Sequence, residues 1–300
     1  MNRRAVTIDP NNRTAEYAGF LCERLEQGDI LTLERTPFLP SAEEMAFLRG
    51  QRQSASSTHK NIAYKPEVGR ITGVAGQAEV DAERTRCILA EYSRGALAFL
   101  AGLFPHYAAR WKVDYASFRP LEEHGRNISI RQRNDLMHVD AFPTRPTHGG
   151  RILRAFTNIH PTKDRVWAIA APFDALAEKY AAAAGLLAVT RPHATVARKM
   201  KRLVHRAVPK VPDRSAYDEF MLLFHHYLKT NEEFQGEGKL GEYVFSPGTT
   251  WICFTDQVAH AVLSGQYAVE QTCIVPLSCM KLPDCSPMAV LERLARRSLR

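Results

Sequence analysis

The sequence contains no long hydrophobic run and no segment typical of export. No stretch of about 18 consecutive apolar residues occurs, so no transmembrane helix is predicted. The first residues, MNRRAVTIDPNN, include two arginines but no apolar stretch behind them, which argues against a secretory signal. We therefore expect a cytoplasmic protein.

The chain also lacks paired cysteines. No Cys-x-x-Cys pair occurs among its six cysteines, which are Cys22, Cys87, Cys253, Cys273, Cys279 and Cys285. This scattered spacing does not support a zinc knuckle. In a cytosolic chain it predicts reduced thiols that behave as small buried hydrophobic groups.

Acidic residues are absent from one stretch of a chain whose formal net charge is +8. Residues 191–210, RPHATVARKMKRLVHRAVPK, contain no Asp or Glu, and the C-terminal LERLARRSLR is also basic. Such stretches fit either a solvated helical face or a surface that binds phosphate-bearing material, including anionic lipid. Helix-turn-helix, zinc-finger and aromatic RNA-binding patterns are missing, so nucleic acid is not expected as a partner.

What the sequence does contain is two blocks of alternating apolar and polar residues, at 110–165 and 241–283. This alternation predicts β-strands. Between the blocks, residues 166–240 are alanine-rich, basic or amphipathic and predict a helical insert. Neither block is large enough to close a core alone, so we expect both to form a single barrel or sandwich of two sheets.

Helices are predicted on either side of the β blocks. Residues 1–109 predict a short strand, a capped helix and one long helix, all packing on the barrel. Residues 286–300 predict a closing helix with Ser286 as its N-cap and Pro287 in its first turn. The prediction is therefore an α+β fold that forms one domain over residues 1–300.

His138 and Asp140 stand one residue apart in RNDLMHVDAFPTRP, at the end of a strand-like run. Side chains at i and i+2 of a strand share a face, so both can reach one ion, although a hydrogen-bonded surface pair would explain the spacing equally well. His260, in the second β block, completes the order of a 2-His-1-carboxylate set, which leaves open positions on non-haem iron(II). Three other histidines compete for the third place: His160, His148 and His205.

HVDAFPTRPTHGGRILRAFTNI, taken with VAHAVLSGQYAVEQTCIVP, resembles the Fe(II)- and 2-oxoglutarate-dependent dioxygenases, whose fold is the double-stranded β-helix of jelly-roll or cupin type. Within them, the chain resembles the Kdo hydroxylases, Kdo being 3-deoxy-D-manno-oct-2-ulosonic acid. DYASFRPLEEHGR and the helical insert belong to the resemblance, which covers nearly the whole chain.

The resemblance implies that His138, Asp140 and His260 hold Fe(II), with 2-oxoglutarate as cosubstrate and O2 as oxidant. It also implies hydroxylation of Kdo at C3, which gives Ko in the inner core of lipopolysaccharide. The substrate implied is a Kdo unit on lipid A, at an anionic membrane surface. The enzyme is then expected in the cytoplasm, peripheral to the inner face of the inner membrane.

One feature of the family is missing from the second motif. Many members bind the distal carboxylate of 2-oxoglutarate with an arginine shortly after the second histidine, where this chain has VEQTC. Because an unpaired buried charge is costly, another cation must meet that carboxylate. We expect Arg154 to do so, with Asn158 on the same strand face. Arg133 and Arg145 bracket the metal pair and are candidates for the sugar carboxylate or for lipid phosphates.

Two other functions fit parts of the sequence. The same oxygenase chemistry could act on a protein side chain or a small molecule, because the metal set does not select the substrate. A non-catalytic protein that binds anionic surfaces through residues 191–210 would explain the basic stretch alone. No pattern in the sequence indicates the oligomeric state.

Overall fold

The computed structural model describes residues 5–54, 61–75, 79–126, 128–208 and 211–300. Within these ranges the chain forms two β-sheets. The strands are β1 (Ala5–Thr7), β2 (Ile30–Leu33), β3 (Ile62–Lys65), β4 (Arg70–Thr72), β5 (Lys112–Arg119), β6 (Arg151–Asn158), β7 (Arg165–Ile169), β8 (Gly241–Phe245), β9 (Thr250–Phe254), β10 (His260–Ser264) and β11 (Ala268–Val275).

The larger sheet has eight strands in the order β1-β2-β9-β6-β11-β5-β3-β4, and the smaller has three in the order β10-β7-β8. All neighbours are antiparallel except β1 and β2. Apolar side chains from both sheets form one cluster between them, which includes Phe156, Trp167, Phe245 and Trp251. Two facing sheets, between which β8, β9, β10 and β11 alternate, form a double-stranded β-helix, as predicted.

The helices cover the outer surface of this barrel. They are α1 (Ala15–Glu26), α2 (Ala42–Gly50), α3 (Glu79–Leu103), α4 (Pro105–Ala108), α5 (Phe173–Tyr180), α6 (Leu186–Val189), α7 (Pro192–Ala207), α8 (Ala216–Thr230), α9 (Glu232–Glu237) and α10 (Pro287–Ala295). The predicted caps are present, since Ser41 and Glu44 form a capping box and Ser286 caps α10. No helix in the described ranges is long and apolar enough to cross a membrane.

Strand β6 shows how sequence alternation separates the helices from the site. Leu153 and Ala155 lie in an apolar cluster with residues of α1 and α3. Arg154 and Phe156, on the opposite face, point between the two sheets and line a cavity there. The barrel interior therefore receives a charged side chain from a strand whose eight residues are all buried.

The strand predicted just before His138 is absent. Residues Ile130–Gln132 form a turn of 3-10 helix, and the chain then bends at residues 134–136 and makes only an isolated bridge at His138. Its hydrogen bonds reach separate partners, since Asn134 accepts from Val262 while Asp140 donates to Thr255. An apolar alternation can thus mark an extended segment that never forms a continuous ladder. β7 also crosses the predicted boundary at residue 165, so the helical insert begins only at α5.

Candidate metal centre

His138 and His260 lie side by side because their backbones form an isolated antiparallel bridge. The N–H of His138 donates to the carbonyl of His260 at 3.0 Å, and the N–H of His260 donates to that of His138 at 2.9 Å. One ligand atom from each of His138, Asp140 and His260 lies within 4.8 Å of the others. The structure therefore brings together the three side chains predicted as ligands.

Backbone carbonyls orient both imidazole rings. Nδ1 of His138 lies 2.7 Å from the carbonyl oxygen of Leu136, and Nδ1 of His260 lies 2.8 Å from that of Val258. A carbonyl only accepts, so each Nδ1 carries the proton and donates it. The lone pair of each ring is then on Nε2, which is the atom available to a metal.

Charge states in the site also suit a metal. Burial lowers the pKa of His138 well below its usual value and lowers that of His260, which keeps both rings neutral at neutral pH. Burial alone would raise the pKa of Asp140, but the guanidinium of Arg154 and the ring of His138 hold it well below its usual range. The centre thus presents two neutral nitrogens and one carboxylate.

The surroundings of one carboxylate oxygen of Asp140 indicate whether these residues fit a metal ion. Its Oδ2 is buried and has no hydrogen-bond partner. Arg154 Nη1 lies 3.1 Å from it, close enough for an ion pair but not oriented for a hydrogen bond. A buried carboxylate oxygen without a partner is costly unless a cation completes it. Two imidazoles and one carboxylate with open positions are the donor set that non-haem Fe(II) takes in oxygenases, so the residues fit this metal.

Aromatic rings pack on the two histidines. Trp167 stacks on His260 with ring centroids 4.5 Å apart and planes 15° from parallel. His225, from α8, meets His138 edge-on at 4.9 Å, and its Nδ1 donates to the carbonyl of Val139. These contacts restrict rotation of both ligand rings. Sequence analysis missed His225, because only the packing of the insert on the barrel brings α8 to this position.

A narrow cavity of about 20 Å³ adjoins the three ligands. Its other lining residues are Arg119, Asn134, Arg154, Phe156, Arg165, Trp167 and Val262. Arg165 is 1% exposed, and burial lowers its pKa to about 10. Its Nη1 donates to the carbonyl of Gly265 at 2.7 Å, whereas its Nε has no partner. Among the residues that the structure describes, no carboxylate lies within ion-pair distance of Arg165.

The predicted cosubstrate residue, Arg154, has a different setting in the same cavity. Its Nη1 lies between Asp140 at 3.1 Å and Glu270 at 3.8 Å. Glu270 also pairs with Arg119 at 2.7 Å. In the VEQTC segment, where many members of the family have an arginine, this chain therefore has an acid, Glu270, which balances the buried guanidinium groups of Arg119 and Arg154. Arg154 already has two carboxylates within ion-pair distance, whereas Arg165 has none among the described residues, its nearest acidic influences being Glu123, Glu122 and Glu270 farther away.

Asn158 lies at the end of β6 and is fully buried, but it does not line the cavity. Its Nδ2 donates to the carbonyls of Lys163 and Phe245, and its Oδ1 accepts from the N–H of His160. The competing histidines do not belong to the metal group. Nδ1 of His160 accepts from a loop backbone, His205 bonds to the carbonyl of Val211, and His148 lies beside Asp218.

Arg133 and Arg145 are each about one-third exposed and already paired with acids. Arg133 pairs with Asp135 at 2.7 Å. Arg145 pairs with Asp114 at 2.5 Å, and its guanidinium lies 4.3 Å from the ring centre of Phe142. Neither side chain lines the cavity. Both residues nevertheless flank the cavity. Asn134, which follows Arg133, lines the cavity, and Phe142 contacts the guanidinium of Arg145 as well as that of Arg154, which lines it.

Solved structures resemble the whole chain. KdoO, a Kdo hydroxylase and non-haem Fe(II) α-ketoglutarate-dependent dioxygenase, in complex with α-ketoglutarate and Fe(III) is 33% identical, with a TM-score of 0.82 over 99% of this chain and 97% of that one. The apo structure of KdoO is 35% identical, with a TM-score of 0.83 over the same shares. The cobalt(II) complex is 34% identical, with a TM-score of 0.83 over 98% and 97%.

Comparison with curated proteins finds no match. The family model for 3-deoxy-D-manno-oct-2-ulosonic acid (Kdo) hydroxylase matches residues 9–298. A match of this extent, together with identities above 30% over whole chains, shows the family directly. The chain therefore belongs to the Kdo hydroxylases, among the Fe(II)- and 2-oxoglutarate-dependent dioxygenases.

Proposed function

We propose that this protein hydroxylates C3 of Kdo, and that its substrate is the Kdo of a lipid A precursor. The observation that carries the reaction type is the convergence of His138, Asp140 and His260 beside a buried cavity. That cavity is also lined by Arg165, which has no carboxylate within ion-pair distance among the described residues. Kdo as the substrate is supported by the family match and by the likeness to KdoO. Inner-core lipopolysaccharide as the setting follows from the resemblance in sequence.

His138 and His260 would each supply Nε2 to Fe(II), and Asp140 would supply a carboxylate oxygen. When bound, Fe(II), 2-oxoglutarate and O2 together replace a C–H bond of the sugar by C–OH, while 2-oxoglutarate becomes succinate and CO2. The protein's part is to keep both rings in the correct tautomer and the acid ionised. The backbone contacts of the rings and the guanidinium of Arg154 provide this.

We assign the distal carboxylate of 2-oxoglutarate to Arg165 rather than to Arg154. A buried guanidinium without a carboxylate partner is unfavourable by itself, and a dianionic cosubstrate would satisfy it by bidentate hydrogen bonds. Arg154 is better placed to orient Asp140, since its Nη1 lies 3.1 Å from that side chain. The rings of Phe156 and Trp167 line the remaining wall and exclude water from the reacting atoms.

We propose Arg133 and Arg145 as contacts for the carboxylate of the sugar or for phosphates of its lipid. Their guanidinium groups flank the cavity and remain one-third exposed, so an anion can approach them. Their acidic partners hold them in place before the substrate arrives, which reduces the entropy lost on binding.

The decisive experiment supplies metal-loaded protein with 2-oxoglutarate, O2 and Kdo-bearing lipid A, and follows the sugar by mass spectrometry. We expect the Kdo unit to gain one oxygen atom, with the new hydroxyl at C3, and one succinate to form per oxygen gained. Succinate formation with an unchanged sugar would indicate another substrate for the same chemistry. No Fe(II)-dependent consumption of 2-oxoglutarate under any of these conditions would refute the enzymatic assignment.

A further inference from the structure

Helix α7 is attached to the protein by its polar side. Nη1 of Arg198 donates to Glu219 at 2.9 Å, and Lys201 lies 3.5 Å from the same carboxylate. Arg202 pairs with Asp213 at 3.2 Å. In an ordinary surface helix, charged residues face water and apolar ones face the core. Here the charged side chains supply the contacts with the rest of the fold.

The apolar side of α7 faces outward as a consequence. Val196, Met200, Leu203 and Val204 are 60%, 59%, 56% and 47% exposed. Their spacing of three and four residues places them on one face, which we call the α7 stripe. Large apolar side chains aligned in this way on an exposed helix mark a surface that binds another apolar phase or partner.

The residues that border the α7 stripe are positively charged, which indicates a partner with an anionic surface. No acidic residue occurs between Arg191 and Lys210, and Lys199 and Arg206 are exposed without a carboxylate in ion-pair distance among the described residues. Arg297 of the basic C-terminal segment donates to the carbonyl of Thr190, directly before α7. An apolar stripe bordered by cations matches the boundary between acyl chains and anionic headgroups.

We propose that α7 lies in the surface of an anionic bilayer, with the α7 stripe inserted between acyl chains and its lysines and arginines among the headgroups. The inference deepens the proposed function, since it names the surface on which a lipid-borne sugar would reach the site. Contacts connect the two regions: α8 supplies both Glu219 to α7 and His225 to the ring of His138. Arg214, shortly after α7, donates to Pro143 in the loop that follows Asp140.

The test measures binding of the metal-free, full-length chain to vesicles of phosphatidylcholine, with and without phosphatidylglycerol. Without iron or turnover, its outcome is independent of the catalytic assignment. We expect sedimentation with the anionic vesicles only, and a loss of affinity on the order of a hundredfold in V196S/M200S/L203S, because three inserted side chains are removed. The matched control, V68S/V80S/L240S, removes three exposed apolar side chains from other elements and should bind like the wild type.

Several outcomes would overturn the proposal. One is failure of the wild type to bind anionic vesicles while thermal melting shows it folded. Another is equal binding by both triple variants, which would show docking by charge without insertion. Light scattering provides a third, because a dimer that V196S/M200S/L203S dissociates, without vesicle binding, would assign the α7 stripe to a second copy. As a direct readout, Met200→Trp should be quenched by brominated acyl chains, whereas Val80→Trp should not.

Discussion

Replacement of Arg165 by methionine should weaken cosubstrate binding and stabilise the fold at the same time. Burial lowers the pKa of Arg165 to about 10, well below its value in the unfolded chain. Because the folded pKa of this base lies below its unfolded value, the charged form destabilises the fold at pH values below about 10. A shift of this size corresponds to about 3 kcal/mol. The destabilisation disappears as the pH rises from about 10 to the higher pKa of the unfolded chain.

The neutral side chain of Arg165→Met removes that desolvation cost, while loss of the hydrogen bond to Gly265 offsets part of the gain. We expect a net stabilisation of about 1–3 kcal/mol, seen as a rise of a few degrees in Tm. Loss of charged hydrogen bonds to a carboxylate, worth about 1.5–3 kcal/mol, should raise the KM for 2-oxoglutarate about 10- to 100-fold.

Both quantities can be measured on one pair of proteins. Thermal melting without cosubstrate gives the stability, and the rise of Tm on adding 2-oxoglutarate to anaerobic Fe(II)-loaded protein reports binding. The variant should begin higher and respond less. Arg151→Met is the matched control, since Arg151 is equally buried but pairs with Asp256 at 2.7 Å. It should lower Tm, because the acid loses its partner. A normal KM for 2-oxoglutarate in Arg165→Met would refute the assignment.

Three further changes probe the centre. His260→Ala should abolish Fe(II) binding and turnover together, as measured by metal analysis and succinate formation; a variant that retains both would exclude the residue as a ligand. Glu270→Gln should destabilise the fold by about 3–5 kcal/mol in urea unfolding, because Arg119 and Arg154 lose their shared acid, and an unchanged midpoint would contradict that balance. Because the pKa of His138 is lower in the folded protein than in the unfolded chain, the unfolded chain binds more protons below pH 6.5. The free energy of unfolding of the apo-protein should therefore decrease as the pH is lowered below 6.5, and a free energy of unfolding that does not change there would contradict burial of a neutral His138.

Sequence reasoning predicted the fold because its two main signals are local. Alternation in β6 and β11 and the caps of α2 and α10 each depend on residues a few positions apart. The segment before His138 carries a similar alternation but forms no strand. Whether an extended segment joins a sheet depends on distant hydrogen-bond partners, and here those partners are single residues such as His260 and Thr255.

In the site, the three predicted ligands were found because their order and spacing are a property of the chain itself. Arg165 was not considered, because its position beside the cavity depends on β7 pairing with β10, and the predicted β block ended at residue 165. The outward direction of the α7 stripe was equally hidden. A helical pattern shows that two faces differ, but only the ion pairs of Glu219 and Asp213 determine which face packs on the protein.

Gly265 is buried against Arg165, the first residue of β7, whose side chain lines the cavity. Its φ is +115°, and a Cβ atom there would lie 2.8 Å from Cα of Arg165. Any side chain at this position would therefore displace the first residue of β7, which carries the guanidinium that lines the cavity. Libraries that vary only the walls of the cavity would overlook this glycine, although a single methyl group there would move the side chain to which we assign the distal carboxylate of 2-oxoglutarate.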